Sequence, residues 1–374
     1  MTQADDERLF EARLIPIKEI ADRLKIEGLK PASHELVGPC PKCGGTDRFA
    51  IHPDDGVFNC RACGGGDGIR LVEHVLNCSF REAMDWLVGE RQVELTGAEK
   101  AERKAAHEAA EQRRQETAAR KRADAIRMAR ALWAEGCIFS GSTAETYLTM
   151  RGIEFDTPPP ALRFHPNLRY MHMIDGQWTE LHRGPAMLAA ILAPSGQLIG
   201  VHRTWMDLSS PKSKWKVIIE HDGKMLDAKK VLGSKKGGAI RLTRLDKPSV
   251  LVMGEGIETT STAMVARPLP VADYWCGVDL GNMSGRMRKV QGKRYSGLPD
   301  LNDENAFLPP PWTKRLIYLM DGDSDPRMTR AKLESGLKRA IAHRADLRAQ
   351  IVHAGEGVDL NDVLIGELND QQDG

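Results

Sequence analysis

The sequence of 374 residues has no apolar run long enough to cross a bilayer. Its longest, AMLAAILA, covers only residues 186–193, against the roughly 20 residues a spanning helix needs. The first ten residues, MTQADDERLF, are acidic and no apolar core of a secretion signal follows them. These absences predict a cytoplasmic protein without a membrane role. No GxxxxGK[ST] phosphate loop occurs, which excludes a built-in motor of that class. A disulfide framework is also missing: the cysteines number seven, and four of them fall in two CxxC pairs, a pattern that in a reducing compartment points to metal. Cys78, Cys137 and Cys276 stand alone in apolar surroundings and are expected to be reduced core residues.

What is present is ordinary in amount and uneven in placement. Hydrophobic residues make up 41% and charged residues 28%, as in soluble globular proteins of two or three domains. The net charge is +1, yet residues 201–250 hold twelve Lys/Arg against five Asp/Glu, and residues 296–374 hold nine against fourteen. A basic block followed by an acidic one suits a bound polyanion beside bound cations; chance clustering on solvated faces is the alternative.

The chain divides by pattern into four segments. Residues 1–95 open with IPIKEIADRLKI, an amphipathic helix, and continue into the cysteine pairs and a further helix, IRLVEHVLNCSFREAMDWLVGE. Residues 96–130 are rich in Ala, Glu, Lys and Arg with almost no large apolar side chains, which predicts a solvated helical spacer. In residues 131–247, ETYLTMRGI reads as a short helix, and two hairpins are expected about Pro194-Ser195-Gly196 and Asp222-Gly223. In residues 248–374 the strands SVLVM, PVADYWCGV, RLIYLM and AQIVHA alternate with helices, one of them presenting Leu333, Leu337 and Ile341 on a single face. Such alternation predicts a parallel sheet with crossover helices, whose ligands bind beyond the carboxyl ends of the strands. The expected fold is therefore α/β and multidomain: a small β zinc ribbon, a helical linker, a basic α+β subdomain and a parallel α/β sheet.

The first chemical signal is Cys40-x2-Cys43-x16-Cys60-x2-Cys63, four thiolates at the spacing of one tetrahedral Zn²⁺, with glycines after each pair. RFAIH and VFNC between the pairs read as strands joined at Asp54-Asp55-Gly56, giving a zinc ribbon. His52 is expected to be an exposed strand residue because four cysteines complete the shell. Lys42, Arg48 and Arg61 flank the centre and are candidates for phosphate contacts. Phe49 and Phe58 are open to two readings, stacking platforms for single-stranded nucleic acid or the ribbon's own core.

The second signal is carboxylate. GEGIET places Glu255 between two glycines at a strand end, where the backbone is expected to bend sharply. LMDGDSDP places Asp321 and Asp323 at another strand end, while Asp325 before Pro326 reads as a helix N-cap. Carboxylates from separate strand ends of a parallel sheet converge readily, and hard oxygen donors suit Mg²⁺. Asp359 and Asp362, with Asn361 between them as an oxygen donor, are open to a second metal position or to a helix N-cap.

Together, GEGIETT and LMDGDSD resemble the Toprim domain shared by DnaG-type primases, topoisomerases and some nucleases. The four-cysteine ribbon resembles the zinc module of phage and plasmid primases, and residues 186–242 resemble the basic half of the primase core. The resemblance spans nearly the whole chain except the charged spacer. It implies primer synthesis on single-stranded DNA from NTPs, with Glu255, Asp321 and Asp323 catalytic around Mg²⁺ (or Mn²⁺), and Asp359 among the magnesium ligands. Arg203, Lys229, Lys230, Lys235 and Lys236 would hold template and triphosphate. The family's aspartate four residues after the glutamate is Thr259 here, with Glu258 beside it, so the resemblance leaves the second metal position open. A replicative helicase or initiator would act in trans, and the format resembles that of mobile genetic elements. A Toprim nuclease and a non-catalytic zinc-ribbon adaptor are the rival readings of the same residues.

Overall fold

The computed structural model describes residues 3–32, 34–89, 97–266, 269–290, 293–320, 325–353, 360–361 and 364. The chain forms two compact units, one comprising Met1–Ala119 with Met171–Leu181, the other Arg120–Tyr170 with His182–Gly374.

In the first unit, helices α1 (Gln3–Leu14) and α2 (Ile17–Arg23) precede strands β1 (Lys30–Ala32), β2 (Glu35–Cys40), β3 (Gly44–His52), β4 (Val57–Cys60) and β5 (Gly64–Asp67). These five pair in sequence order as an antiparallel sheet. The expected hairpin about residues 54–56 is present, with Gly56 at φ +67°. Phe49, Ile51 and Phe58 are buried with Ile17, Ile20, Leu71 and Leu87 in one core. Both phenylalanines therefore build the ribbon's interior, and the stacking reading falls.

The single helix expected after the cysteines is two, α3 (Gly68–Leu76) and α4 (Phe80–Val88). Asn77 takes a left-handed conformation at φ 51°, which ends α3. Ser79 and Glu82 then form a reciprocal capping box that starts α4. Apolar periodicity alone ran through this break because the stop signal is one asparagine. The charged spacer is helical as expected, α5 (Gly97–Glu135); near its end Ala129 and Leu132 are buried.

Then follow α6 (Thr143–Thr149), β6 (Leu162–Ile174), β7 (Gln177–Leu192), β8 (Leu198–Trp205), β9 (Ile219–His221), β10 (Lys224–Leu226), β11 (Lys229–Gly233) and β12 (Ala239–Arg241), all in the second unit except Met171–Leu181 at the β6–β7 turn. The remaining elements are β13 (Val250–Gly254), α7 (Ile257–Ala266), β14 (Ala272–Cys276), α8 (Leu280–Ser284), β15 (Arg315–Met320), α9 (Pro326–His343) and β16 (Arg348–His353). Both expected hairpins form: β7 and β8 pair about Gly196, and β9 and β10 pair about Asp222 and Gly223, whose φ values of 50° and 70° suit a tight hairpin turn.

Among the described residues, one sheet of nine strands runs β11-β8-β7-β12-β14-β13-β15-β16, with β6 also paired to β7. Pairing is antiparallel from β11 to β14 and parallel from β14 through β13 and β15 to β16. The basic and parallel halves thus share one sheet, joined where β12 meets β14. Registers Gly254↔Cys276 and Met253↔Tyr318 bring β13, β14 and β15 to a common carboxyl edge.

Glycine at 254 is required by packing. A Cβ there would lie 2.6 Å from Thr260 Oγ1 of α7, so α7 can cross the strand end only over a bare backbone. The chain bends at Glu255 and Gly256 as expected, and neither Gly254 nor Gly256 takes a positive φ to do so. Asp325 caps α9 as expected, accepting from the Arg327 and Met328 amides at 3.0 and 3.3 Å.

On α9, Leu333 and Leu337 are buried as expected, but Ile341 is 42% exposed and Ala340 takes the third core position. Two successive four-residue steps overrun two helical turns, so the stripe drifts off the buried face by the third residue. Leu333→Ala should cost about 2–5 kcal/mol, whereas Ile341→Ala should stay within about 0.5 kcal/mol. Urea unfolding of both variants checks this; equal losses would contradict the packing described here.

Candidate active site

The cysteine centre lies in the first unit. Sγ atoms of Cys40, Cys43, Cys60 and Cys63 all fall within 4.8 Å of one another. Tetrahedral ligation at about 2.3 Å per Zn–S bond puts sulfurs roughly 3.8 Å apart, so the donor set fits a structural Zn²⁺. Gly44, Gly45 and Gly64 follow the cysteine pairs with φ between +67° and +89°, backbone that wraps the sulfurs and that side chains disfavour. Burial opposes ionisation of Cys60, but the amides of Ala62 and Cys63 and the neighbouring thiols overcome it and bring this thiol down to about 7. A partner missed in the sequence is His74 of α3, buried, with Nε2 3.4 Å from Cys40 Sγ. Its one sequence signal was a polar residue on the apolar face of α3. His52 stays partly exposed, 3.5 Å from Glu35. Arg48 and Arg61 are exposed on the ribbon, Arg61 lying 3.9 Å from Asp47. Of the lone cysteines only Cys276 is buried; Cys78 is half-buried and Cys137 exposed, correcting the expectation that all three are core.

The second centre is a cavity of about 630 Å³ in the second unit, at the carboxyl edge of β13 and β14. Glu255, Glu258 and Asp279 line it together with Arg151, Lys214, Lys216, Lys229 and Lys230. Glu255 leaves the end of β13, and its Oε1 accepts from the Leu280 amide at 3.4 Å. Asp279 caps α8 through the Asn282 amide at 2.8 Å and pairs with the Lys235 ammonium. Asn282, buried, ties the basic loop to this edge: Oδ1 accepts from the Gly237 amide at 2.9 Å, and Nδ2 donates to the carbonyls of Gly238 and Gly277 at 2.8 and 2.9 Å. Lys235 is thus held beside the strand ends, while Lys236 stays exposed in the same loop.

The other expected cations separate. Arg203 and Lys230 are directly paired across β8 and β11, as are Thr204 and Lys229. Strand alternation puts Arg203 and Lys230 on one face of the sheet and Lys229 on the other, and Lys230 as well as Lys229 lines the cavity. The Lys230 ammonium packs 3.8 Å from the centre of the Tyr170 ring, and the Arg203 guanidinium lies over Trp205 at 5.3 Å. Burial and the Arg203 charge lower Lys230 to about 8; burial lowers Arg203 to about 10. Arg203 is not among the residues lining the cavity, whereas Lys230, its direct partner across the strands, is. Burial and the Lys229 charge bring His202, another lining residue, down to about 4, so its imidazole is neutral.

Asp321, Asp323, Asp359 and Asp362 lie outside the described residues. Asn361 is buried and its Nδ2 donates to the Arg151 carbonyl at 2.8 Å and to Thr262 Oγ1 at 3.1 Å. Through Nδ2 it fastens chain segments together. Arg151, Lys214, Lys216, His202, Glu258 and Asp279 were missed in the sequence. The basic character of residues 201–250 signalled two of them, Lys214 and Lys216; nothing local marked the rest.

Residues 123–242 match the model of a domain family of unknown function, DUF7146. The chain is similar to the Aquifex aeolicus primase zinc-binding and RNA polymerase domains, at 14% identity over 98% of this chain and 83% of that one, with a TM-score of 0.34. It is similar to a DNA primase domain from Pseudomonas aeruginosa, at 12% identity over 65% and 75% of the two chains, with a TM-score of 0.38. Likeness to the primase fragment of the bacteriophage T7 primase-helicase covers 90% and 96%, at 12% identity and a TM-score of 0.30. Among the described residues, no helix is long and apolar enough to cross a membrane.

The purified chain should carry one Zn²⁺, and Cys60→Ser should lose it. Chelation should strip amide-exchange protection from β2–β5 and leave β13–β16 protected. Loss across both sets would contradict an independent zinc centre.

Proposed function

We propose that the chain is a DNA primase, synthesising short RNA primers on single-stranded DNA by metal-dependent nucleotidyl transfer. The observation that carries the reading is the cavity at the strand ends, where Glu255 shares one space with five lysine and arginine side chains. Hard carboxylate oxygen beside dense positive charge suits a divalent ion and a polyphosphate in the same place. The motif resemblance of GEGIETT and LMDGDSD, preceded by a four-cysteine ribbon, makes nucleotidyl transfer the chemistry for that space.

In this reading Glu255 holds Mg²⁺ together with Asp321 and Asp323. When bound, the ion supplies charge stabilisation at the α-phosphate during attack by a 3′-hydroxyl. Lys229, Lys214 and Lys216 bind and orient the triphosphate, whose charge they balance. Lys235, held by Asp279, stands by the same strand ends and is available to a phosphate that displaces the carboxylate. Neutral His202 accepts or donates one hydrogen bond without adding charge. Arg48 and Arg61, exposed on the zinc ribbon, contact template phosphates. Arg203, over Trp205, supports the Lys230–Tyr170 face.

Incorporation of labelled NTPs on unlabelled single-stranded DNA tests the reading. Glu255→Gln and Asp321→Asn should each lower primer synthesis by about a hundredfold or more while template affinity changes less than about threefold. Cleavage of the template without NTP incorporation would instead assign the site to a nuclease, and a Glu255→Gln variant that primes normally would remove the assignment.

A further inference from the structure

Glu258 lies in the first turn of α7, next to the position where the resemblance led to an aspartate and found Thr259. The residue is 6% exposed, and a carboxylate so enclosed stays ionised only when compensated. The compensation is specific. Tyr147 of α6, fully buried, donates its hydroxyl to Oε1 at 2.8 Å, and Lys229 of β11 reaches both oxygens at 2.9 and 3.0 Å. Burial pushes the Glu258 carboxyl up, but the charges of Lys229 and Arg151 outweigh it and hold the group well below the usual carboxylate range. Burial and the Glu258 charge together keep the Tyr147 hydroxyl protonated, fixing it as a donor.

Lys229 meanwhile keeps 27% of its side chain exposed and lines the cavity. A lysine on a four-carbon stem ordinarily samples many positions; this one is held by a carboxylate that is itself oriented from α6. We propose that Glu258, oriented by Tyr147, is a positioning residue that fixes the Lys229 ammonium in the cavity, exchanging ground-state anion affinity for a defined triphosphate orientation. The proposal rests on the primase reading for its substrate. The physical consequence has a sign. Glu258 removes one unit of positive charge from the cluster of Arg151, Lys214, Lys216, Lys229 and Lys230, so neutralising it should strengthen polyphosphate binding while impairing turnover.

The test uses the full chain and two readouts: calorimetric binding of inorganic tripolyphosphate, and kcat and KM for NTP in primer synthesis. Glu258→Gln should tighten tripolyphosphate binding about threefold or more and lower kcat about tenfold. Glu258→Asp keeps the charge but shortens the reach, so affinity should stay within about twofold while kcat falls about fivefold. Lys229→Met should weaken tripolyphosphate about fivefold. A purely structural Glu258 would instead lose affinity, turnover and thermal midpoint together, and that result overturns the proposal, as does an unchanged kcat in both Glu258 variants. If the wild-type chain makes no primer, the primase reading falls, and the tripolyphosphate arm decides alone. Tightening in Glu258→Gln then upholds Glu258 as the restraint on the cation cluster; weakening or no change overturns it.

Discussion

One enclosed carboxylate joins the two halves of the mixed sheet. Lys229 sits on β11, the antiparallel edge, and Glu258 on α7, which crosses the parallel strands; their ion pair links elements whose strands lie several positions apart in the sheet. A buried ion pair contributes little net stability compared with well-packed apolar groups, but removing one partner strands a charge. The pair therefore specifies geometry more than it strengthens the fold. A Cβ at Gly256 would lie 3.6 Å from Glu258 Oε2, and the bare backbone of Gly254 lets α7 come close to the strand end.

Around that pairing the charge of the site is arranged in opposition. Cations from the loop before β9, from β11 and from the end of α6 face carboxylates from the ends of β13 and β14. Such a space suits a polyanion and a divalent cation together. The zinc ribbon answers a different need. Its unit has a small core, and four thiolates around one ion supply cohesion that burial in so short a segment cannot.

Much of this was legible in the sequence. The cysteine spacing identified the metal centre because four ligands in two tight pairs admit few other uses. Strand and helix alternation after residue 249 identified the parallel half, since each run was short and bounded by glycine, proline or aspartate. The failures are equally physical. Asn77 broke a helix that periodicity carried through, because a left-handed residue leaves no mark on the apolar pattern. The resemblance points to Arg203 for phosphate contact, whereas in the structure its guanidinium packs over Trp205, outside the cavity lining. Tyr147, Arg151 and Glu258 were invisible as a group, since Tyr147 and Glu258 meet across a sequence separation of 111 residues. Local pattern cannot report a contact of that range.

The central claim is that Glu255 shares a divalent ion with the aspartates that follow β15. Anomalous diffraction from crystals soaked with Mn²⁺ and a non-reactive NTP measures this directly. The account predicts a peak within about 2.0–2.3 Å of carboxylate oxygens from Glu255 and from Asp321 or Asp323, with the triphosphate against Lys229. An ion bound elsewhere, or Glu255 turned away from an occupied site, would contradict it.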